Sequence, residues 1–320
     1  MVQRNFKGKQ VVSTTPIIQP GQIEPPSGEI PFIYIPPRDN VFRDRAGRLR
    51  QLAEGHVMKD FLLFMAKLSD AQHAALATFP RIPLPTEAEM KLCREHGMPP
   101  LSVQSWPRDI AWQAALKKIV ADVMPAATPD TRKILLRLQE MDSIALESFA
   151  TAILAGEFDE MDLGAAPFVA AALQIYWTHM ATTLGAQAFG ANDISNLCPV
   201  CTSPPVSSII RIGGAENALR YLCCSVCNTQ WHMVRVKCTN CESTKGISYY
   251  MIESSSGAVK AETCEECGTY LKIMYMDKDP LVDPVADDLA TLALDLMMDE
   301  SGKLRSGPNL FLISTSAIAA

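Results

Sequence analysis

Four Cys-x-x-Cys pairs in the second half of the chain place the strongest limit on how it can fold. The chain has 320 residues, and the pairs are Cys198/Cys201, Cys224/Cys227, Cys238/Cys241 and Cys264/Cys267. Adding 40 to each residue number of the first two pairs gives the last two pairs. The segment is therefore an internal repeat, and each unit contains two cysteine pairs separated by 22 residues.

The spacing of these pairs is typical of tetrahedral metal sites. A Cys-x-x-Cys turn brings two thiolates to one side of a tight loop, and two such loops facing each other complete an S₄ shell. Zinc sites commonly separate the pairs by about 15 to 20 residues, which is close to the 22 found here. The spacing leaves the metal open, because S₄ coordination suits both zinc and iron. The repeat predicts one site from Cys198, Cys201, Cys224 and Cys227 and another from Cys238, Cys241, Cys264 and Cys267.

Two other uses of cysteine pairs are disfavoured. Residues 1–40 contain neither the apolar core of a signal peptide nor a twin-arginine pair, so we expect a cytoplasmic location. Thiols stay reduced there, and structural disulfides are rare. A thioredoxin-like dithiol requires a βαβ context around one pair, whereas these pairs lie among short strand-like runs.

Two further cysteines and one histidine remain to be placed. The counterpart of Cys223 in the repeat is Thr263, so Cys223 is expected to be a packed thiol beside the first site that can exchange into its shell or oxidise first. Cys93 is expected to be a small buried apolar residue of a short helix. His232 corresponds to Lys272 in the repeat, which argues against a role as ligand.

The rest of the chain indicates an α+β multidomain protein. Apolar residues recur at spacings of three and four between Arg43 and Gly190, and Thr86–Glu89 has the form of a capping box. β-branched and aromatic runs between the cysteines predict short strands. The predicted segments are an extended arm over 1–40, an all-α helical domain over 41–192, two tandem rubredoxin-like or zinc-ribbon metal modules over 193–235 and 236–280, and a C-terminal helix and tail over 281–320.

Three helices are predicted individually. One long helix is expected from Pro129 through "TRKILLRLQEMDSIALESFATAIL". Residues Ala165–Leu184 are expected to form a buried bundle helix, because polar residues interrupt the roughly 20 apolar residues that a membrane span needs. The C-terminal helix "VADDLATLALDLMMDE" should end at Gly302 and bury one face. That face consists of Leu289, Leu292, Ala293 and Leu296.

The net charge and the absence of catalytic motifs limit the classes of function that the chain can have. A formal charge of −6 disfavours a protein whose main task is to bind nucleic acid, because that task needs a basic face. We find no Walker A loop, no G-x-S-x-G elbow and no H-E-x-x-H motif, and four thiolates per site leave no open coordination position. The sequence therefore gives no indication of an enzyme. Trp231 is expected to pack on a metal loop, and cations are expected to offset the thiolate charge. These cations are Arg220, Arg235, Lys237, Lys260 and Lys272.

Longer stretches resemble a known family over nearly the whole chain. They are "FRDRAGRLRQLAEGH", "CPVC", "RYLCCSVCNTQWHMVRVKCTNC", "AETCEECGTYLKIMYMD" and "DDLATLALDLMMDESGKLRSGPNLFL". The last four follow the helical half, and in this order they closely resemble the family of the formate dehydrogenase accessory protein FdhE, while the first looks like the first helix of that family. The chain departs from the family pattern at "CPVCTS", which lacks the glycine found in "CEECG", and at Cys223.

The resemblance implies a non-catalytic accessory or assembly factor in the cytoplasm. Such a factor is required for maturation of respiratory formate dehydrogenase and binds its molybdenum-containing catalytic subunit before export. It would carry two iron ions in rubredoxin-like sites at the eight repeat cysteines, with zinc as the alternative. A rubredoxin-like electron-transfer role stays open, since an Fe–S₄ centre changes charge without changing ligands. A role as a zinc-ribbon accessory module for nucleic-acid binding or transcription also stays open. We expect no membrane insertion, and the sequence does not indicate the oligomeric state.

Overall fold

The computed structural model describes residues 8–10, 30–158, 161–190, 195–253 and 255–313. Helices fill the first half, as the spacing of apolar residues predicts. They are α1 (Val41–Ala53), α2 (Lys59–Ala77), α3 (Glu87–Glu95), α4 (Ala111–Val123), α5 (Pro129–Glu140), α6 (Ser143–Ala155) and α7 (Ala166–Leu184). The capping box at the start of α3 is confirmed, since the Thr86 amide donates to Glu89 and the Glu89 amide donates to Thr86.

Helix α7 is the centre of the helical bundle. All of its residues from Ala166 to Ala181 are buried except Pro167, as expected for a helix that has apolar residues on every side. Among the described residues, no helix combines the length and the apolar character that crossing a bilayer requires. The burial of α7 confirms the interpretation of this segment as a bundle helix.

The predicted long helix after Pro129 is wrong, because the chain breaks between α5 and α6. Met141 is extended, with φ −64° and ψ 133°. The Asp142 carboxylate then accepts a hydrogen bond from the Ala145 amide at 2.8 Å and caps a new helix. An aspartate at this position stabilises a helix start more than it stabilises a helix interior, so the chain forms two shorter helices.

The strands form one sheet that contains both cysteine modules. They are β1 (Gly8–Gln10), β2 (Ile33–Tyr34), β3 (Pro205–Ile210), β4 (Arg220–Cys224), β5 (Gln230–Met233), β6 (Ile247–Ile252), β7 (Val259–Cys264), β8 (Thr269–Tyr275) and β9 (Leu304–Arg305). Their order is β1-β6-β7-β8-β3-β4-β5-β2, and β9 pairs with β8. Each repeat unit is an antiparallel meander, and the parallel pair β3–β8 joins the two units. The predicted fold class is confirmed.

Two pieces of the predicted arm lie at opposite ends of this sheet. Strand β1 pairs with β6, and β2 pairs with β5. The Tyr221 hydroxyl also donates to the Pro31 carbonyl at 2.8 Å, and Tyr34 packs edge-on against the Tyr221 ring. The other predicted arm residues, 1–7 and 11–29, lie outside the described part of the chain.

The predicted C-terminal helix is divided in two, α8 (Ala286–Ala290) and α9 (Leu292–Glu300). Thr291 interrupts it with φ −113°, and its hydroxyl donates to the Asp287 carbonyl at 2.7 Å. The interruption changes which side of α9 faces the body. Leu289 is buried, Leu292 and Ala293 are half-buried, and Leu296 is 57% exposed, whereas Leu294 and Met298 are buried, so the predicted apolar face is wrong at Leu296.

Buried ion pairs account for cations that were expected to offset thiolate charge. Arg220 is fully buried and pairs with Glu262 at 2.6 Å, and the Tyr249 hydroxyl donates to the other Glu262 oxygen. Lys272 is also fully buried and pairs with Asp288 and Asp295. The expectation for Arg220 and Lys272 is therefore wrong, because carboxylates of the same sheet and of the C-terminal helices neutralise them.

A further ion pair attaches the C-terminal helices to the helical domain. Arg48 of α1 donates two hydrogen bonds to the Asp287 carboxylate, at 2.6 and 2.9 Å. It also donates to Asp279 at 2.6 Å. A bidentate pair of this kind holds both orientation and distance, so the C-terminal segment packs on the first helix of the chain.

We predict that Arg220→Met lowers the free energy of unfolding by about 3 to 5 kcal/mol, because it leaves the Glu262 carboxylate buried without a cation. The double variant Arg220→Met/Glu262→Leu should recover most of that loss. The measurement is chemical denaturation of metal-loaded protein. Lys133→Met, which removes an exposed ion pair with Asp130, is the control and should change stability by less than about 0.5 kcal/mol. Equal stability of the single and double variants would contradict the prediction.

Burial of His179 predicts a pH dependence of stability. His179 is 7% exposed on α7, and burial followed by the nearby Arg38 charge lowers its pKa to about 4. The unfolded chain therefore takes up this proton near pH 6.5 and the folded chain only near pH 4. This contribution to stability is complete above about pH 6.5 and is lost as the pH falls toward 4, by up to about 1.4 kcal/mol per pH unit.

The measurement compares the free energy of unfolding between pH 4 and 7 for the wild type and for His179→Leu. The variant should show the shallower fall on acidification. His96→Leu, at an exposed histidine, controls for the loss of an imidazole. Parallel curves for wild type and His179→Leu would exclude His179 as the source of the dependence.

Candidate metal centres

The four cysteine turns share one backbone conformation. The residue directly after each second cysteine has a positive φ, and these residues are Thr202 (65°), Asn228 (60°), Glu242 (60°) and Gly268 (70°). In the first turn of each unit the amide after the second cysteine donates back to the first cysteine carbonyl, from Thr202 to Cys198 at 2.9 Å and from Glu242 to Cys238 at 3.1 Å. The 40-residue repeat is therefore present in the backbone geometry as well as in the sequence.

The first centre consists of Cys198, Cys201, Cys224 and Cys227. The turn before β3 supplies the first pair, and the turn after β4 supplies the second. The Sγ atoms of Cys201 and Cys224 are 3.4 Å apart, and those of Cys198 and Cys227 are 3.5 Å apart. All four residues are at most 1% exposed.

The second centre consists of Cys238, Cys241, Cys264 and Cys267, on the turns before β6 and after β7. Its equivalent Sγ distances are 3.7 Å for Cys241 and Cys264 and 3.6 Å for Cys238 and Cys267. The structure thus brings the eight cysteines together in the two groups that the repeat predicts, while the role of each as a ligand stays a prediction.

These distances fit a tetrahedral ion. Metal–sulfur bonds of about 2.3 Å give a tetrahedron with sulfur–sulfur edges of about 3.8 Å, and the four Sγ atoms of each group lie within 4.8 Å of one another. A disulfide requires an S–S distance of about 2.05 Å, and all ten cysteines are free. The chain therefore has two metal-binding sites, each built from four cysteines.

The electrostatics of the sites favour a bound cation. Burial raises the pKa of the Cys198 and Cys224 thiols, so four thiolates there need a positive ion to hold their charge. Burial also acts to raise the pKa of Cys267, but hydrogen bonds from Thr269 and from neighbouring thiols outweigh it and lower the value to about 6. In the first centre the amides of Val226 and Cys227 both donate to the Cys224 sulfur at 3.3 Å.

Threonine hydroxyls are a second feature common to both centres. Thr229 Oγ1 lies 3.1 Å from the Cys227 sulfur, and Thr269 Oγ1 lies 3.1 Å from the Cys267 sulfur. The two threonines are related by the 40-residue repeat. Sequence reasoning missed them, although their shared position two residues after the last cysteine of each unit was a signal that could have found them.

The helical domain packs directly on the first centre. The amides of Leu101 and Val103 donate to the carbonyls of Val200 and Cys201 at 3.0 and 2.9 Å. On the other turn, Gln174 of α7 donates to the Ser225 carbonyl at 2.8 Å. Both cysteine turns of this centre are therefore held by hydrogen bonds from helical-domain residues.

Asn228 adds a third connection at the first centre. Its side-chain amide donates to Thr178 of α7 at 2.9 Å, and its side-chain oxygen accepts from Arg45 of α1 at 2.7 Å. The sequence contains no spacing pattern that relates these residues, since they are separated by 50 and 183 positions.

The remaining candidates lie outside both centres. Cys223 is 2% exposed on β4 opposite Gln230, and burial raises the pKa of its thiol. Side chains alternate along a strand, so Cys223 points away from the face of Cys224 and is not in the ligand group. Exchange of Cys223 into the shell is disfavoured by that alternation. Cys93 is half-buried rather than buried.

His232 and Trp231 also lie outside the two groups of sulfur atoms. His232 packs edge-on against the Tyr221 ring, with centroids 5.6 Å apart. Trp231 is 1% exposed, and its indole N–H donates to the Ser195 carbonyl at 2.9 Å, three residues before Cys198.

Comparison with known proteins assigns the chain to a family. Family models match consecutive parts of the chain, described as "FdhE, N-terminal" over residues 30–191, "FdhE, central domain" over 197–235 and "FdhE, C-terminal domain" over 236–312. The chain belongs to the FdhE family. The predicted segment boundaries at 40, 192, 235 and 280 stay predictions.

FdhE proteins from several bacteria are similar along most of their length. "Protein FdhE homolog" of Cronobacter sakazakii is 42% identical over 284 residues, covering 88% of this chain and 91% of the relative. That of Edwardsiella ictaluri is 44% identical over 286 residues, covering 89% and 92%. The crystal structure of the FdhE protein from Pseudomonas aeruginosa is 39% identical, with a TM-score of 0.80 and coverage of 88% of this chain and 99% of that chain.

We predict that Gly268→Ala lowers the free energy of unfolding by about 1 kcal/mol, because its φ of 70° is strained for alanine. An added Cβ would meet no atom within 4 Å there, so the cost comes from the backbone alone. Gly47→Ala is the matched control, since that glycine is also open but lies in α1. It should raise stability by up to about 1 kcal/mol. A loss at both positions, measured by thermal unfolding of metal-loaded protein, would contradict the assignment of the cost to φ.

Proposed function

We propose that this FdhE family member is a non-catalytic accessory factor for the maturation of respiratory formate dehydrogenase. The observation that carries the proposal is the family membership together with two metal-binding sites that each offer four thiolates. An ion with four protein ligands has no position for a substrate, so the sites serve structure or binding rather than catalysis. The family resemblance supplies the partner enzyme.

The proposed partner is the molybdenum-containing catalytic subunit, bound in the cytoplasm before export. A cytoplasmic site of action is supported by the reduced thiol chemistry of both four-cysteine groups, since cytosolic thiols are kept free of disulfides. An acidic chain with a net charge of −6 is also a better match for a protein partner than for nucleic acid.

The proposed metal is iron, one ion per centre. Cys198, Cys201, Cys224 and Cys227 would hold one ion, and Cys238, Cys241, Cys264 and Cys267 the other. Bound there, iron would supply a one-electron couple that changes charge without a change of ligands. The donor set of four thiolates is equally suitable for zinc, and the resemblance to rubredoxin-like sites is the reason for the choice of iron.

Electron transfer during maturation is the second candidate function. The observation that favours it is the exposed Cys241 in the second centre, since an exposed ligand shortens the path to a redox partner. In this case the second centre would exchange electrons, while the first, fully buried centre would remain structural.

We predict that the tagged catalytic subunit of formate dehydrogenase retains the purified wild-type chain in a pull-down. Variants with Cys→Ser in one turn of each centre, such as Cys201→Ser and Cys241→Ser, should bind less if the centres support the docking surface. Circular dichroism establishes which variants are folded. Normal binding by folded variants of every turn would remove the centres from recognition. No retention of the wild type would contradict the maturation role.

The same preparations distinguish the remaining functions. Iron in both centres gives a visible thiolate-to-iron absorption band, and bleaching of that band by a reductant supports electron transfer. Colourless protein with two zinc ions per chain overturns the choice of iron. Retention on nucleic acid that weakens steeply as salt is raised would favour the zinc-ribbon alternative.

A further inference from the structure

The two centres have the same local geometry but very different surroundings. The cysteines of the first centre are at most 1% exposed. In the second centre Cys241 is exposed and Cys267 is half-buried, while Cys238 and Cys264 are buried. Cys201 and Cys241 occupy equivalent positions in the 40-residue repeat. The difference in exposure therefore arises from tertiary packing and not from the turn itself.

Packing of the helical domain encloses the first centre. Val103 donates to the carbonyl of Cys201, Gln174 to that of Ser225, and Thr178 to that of Cys227. A small molecule can reach these sulfur atoms only after the helical domain separates from both turns. That separation would break the largest apolar core of the chain, which extends from the helices to the first cysteine module.

The scaffold of the second centre is held by contacts that do not involve its sulfur atoms. Strand β7, which ends at Cys264, is attached to β4 by the Glu262–Arg220 pair. Strand β8, which follows Cys267, is attached to the C-terminal helices by the Lys272–Asp295 pair. The Ser306 hydroxyl also donates to the Tyr270 carbonyl at 3.0 Å. These groups keep both strands in place whether or not the four thiolates share an ion.

The turn that contains Cys241 is closed by backbone hydrogen bonds from Glu242 to Cys238 and from Cys238 to Ser243, and several of its side-chain contacts with other segments lie at the surface. Glu242 pairs with Lys237 at 2.6 Å and accepts a hydrogen bond from Ser195, and the Asn196 side chain donates to the Asn240 carbonyl at 3.3 Å. Cys241 itself is open to solvent. This turn is therefore able to move by a small distance without breaking the sheet.

We propose that the second centre is an exchange site for soft divalent metal ions. The first centre keeps its ion as long as the chain is folded and links the helical domain to the sheet. With an ion held by the four cysteines, an incoming donor such as a low-molecular-weight thiolate or a chelator would form a bond to it with its own lone pair as the bond from Cys241 Sγ broke. The Cys241 thiolate would leave with its electron pair and take up a proton from the buffer, and no oxidation state would change. The second centre thus loads and unloads while the chain stays folded.

The test uses the full chain loaded with zinc and confirmed to contain two ions per chain. A chelating dye in excess reports zinc release by absorbance, while tryptophan fluorescence and circular dichroism report unfolding. We expect two phases of one ion each, with the first at least about tenfold faster, because it needs only local opening. The fluorescence and dichroism should stay constant during the first phase, and the second phase should follow the rate of unfolding.

Matched variants identify the centre that exchanges. Cys241→Ser should abolish the fast phase and leave one slowly released ion with little change in melting temperature. Cys201→Ser, at the equivalent position of the first centre, should lower the melting temperature strongly. If Cys201→Ser fails to fold, the release phases of the wild type and of Cys241→Ser still show which centre exchanges its ion. Release of both ions in one phase, or fast release accompanied by unfolding, overturns the proposal. Neither outcome depends on the partner, so failure of the pull-down leaves this inference in place.

Discussion

The contact between the helical domain and the first four-cysteine centre is the interaction on which the rest of the structure depends. One turn of the centre receives backbone hydrogen bonds from the segment around Leu101, and the other receives side-chain bonds from α7. Trp177 of α7 in turn donates to the Leu101 carbonyl at 2.8 Å. A bound ion would cross-link the two turns, so coordination and helix packing would stabilise each other.

From this contact the sheet extends outward through the second repeat unit. The parallel pair β3–β8 places the two meanders in one sheet, and Glu262 connects them through Arg220. The C-terminal helices then close the structure, because Asp288 and Asp295 neutralise Lys272 on β8 and Asp287 binds Arg48 on α1. A charged residue is seldom buried without a partner, and here each of these cations has at least one carboxylate.

Much of the site was predictable, because metal coordination imposes its requirements over a few residues. Two cysteines three positions apart in a tight turn place their thiolates together in any fold, and the 40-residue repeat groups the turns into two sets. The residue after each pair adopts a positive φ. This conformation favours glycine, as at Gly268, but Thr202 and Glu242 also adopt it. The strands were predictable for a similar reason, since their β-branched and aromatic composition is local.

Contacts between distant segments were not predictable, because no periodic pattern records them. The breaks at Met141 and Thr291 depend on single side chains that cap or bond to the backbone. The partners of Arg220 and Lys272 lie 42 and 16 to 23 positions away, so the positive charges were assigned to the thiolates instead.

The amino-acid sequence alone determined the eight cysteines, their division into two equal centres, and the order of helical domain, metal modules and C-terminal helical segment. The sequence predicts two equivalent centres, because the spacing of the cysteines is identical in both. Only the tertiary structure made them different, by packing α7 on one and leaving Cys241 of the other exposed. The physical reason is that coordination geometry depends on residues within one turn, whereas access of solvent to an ion depends on which distant surface covers it.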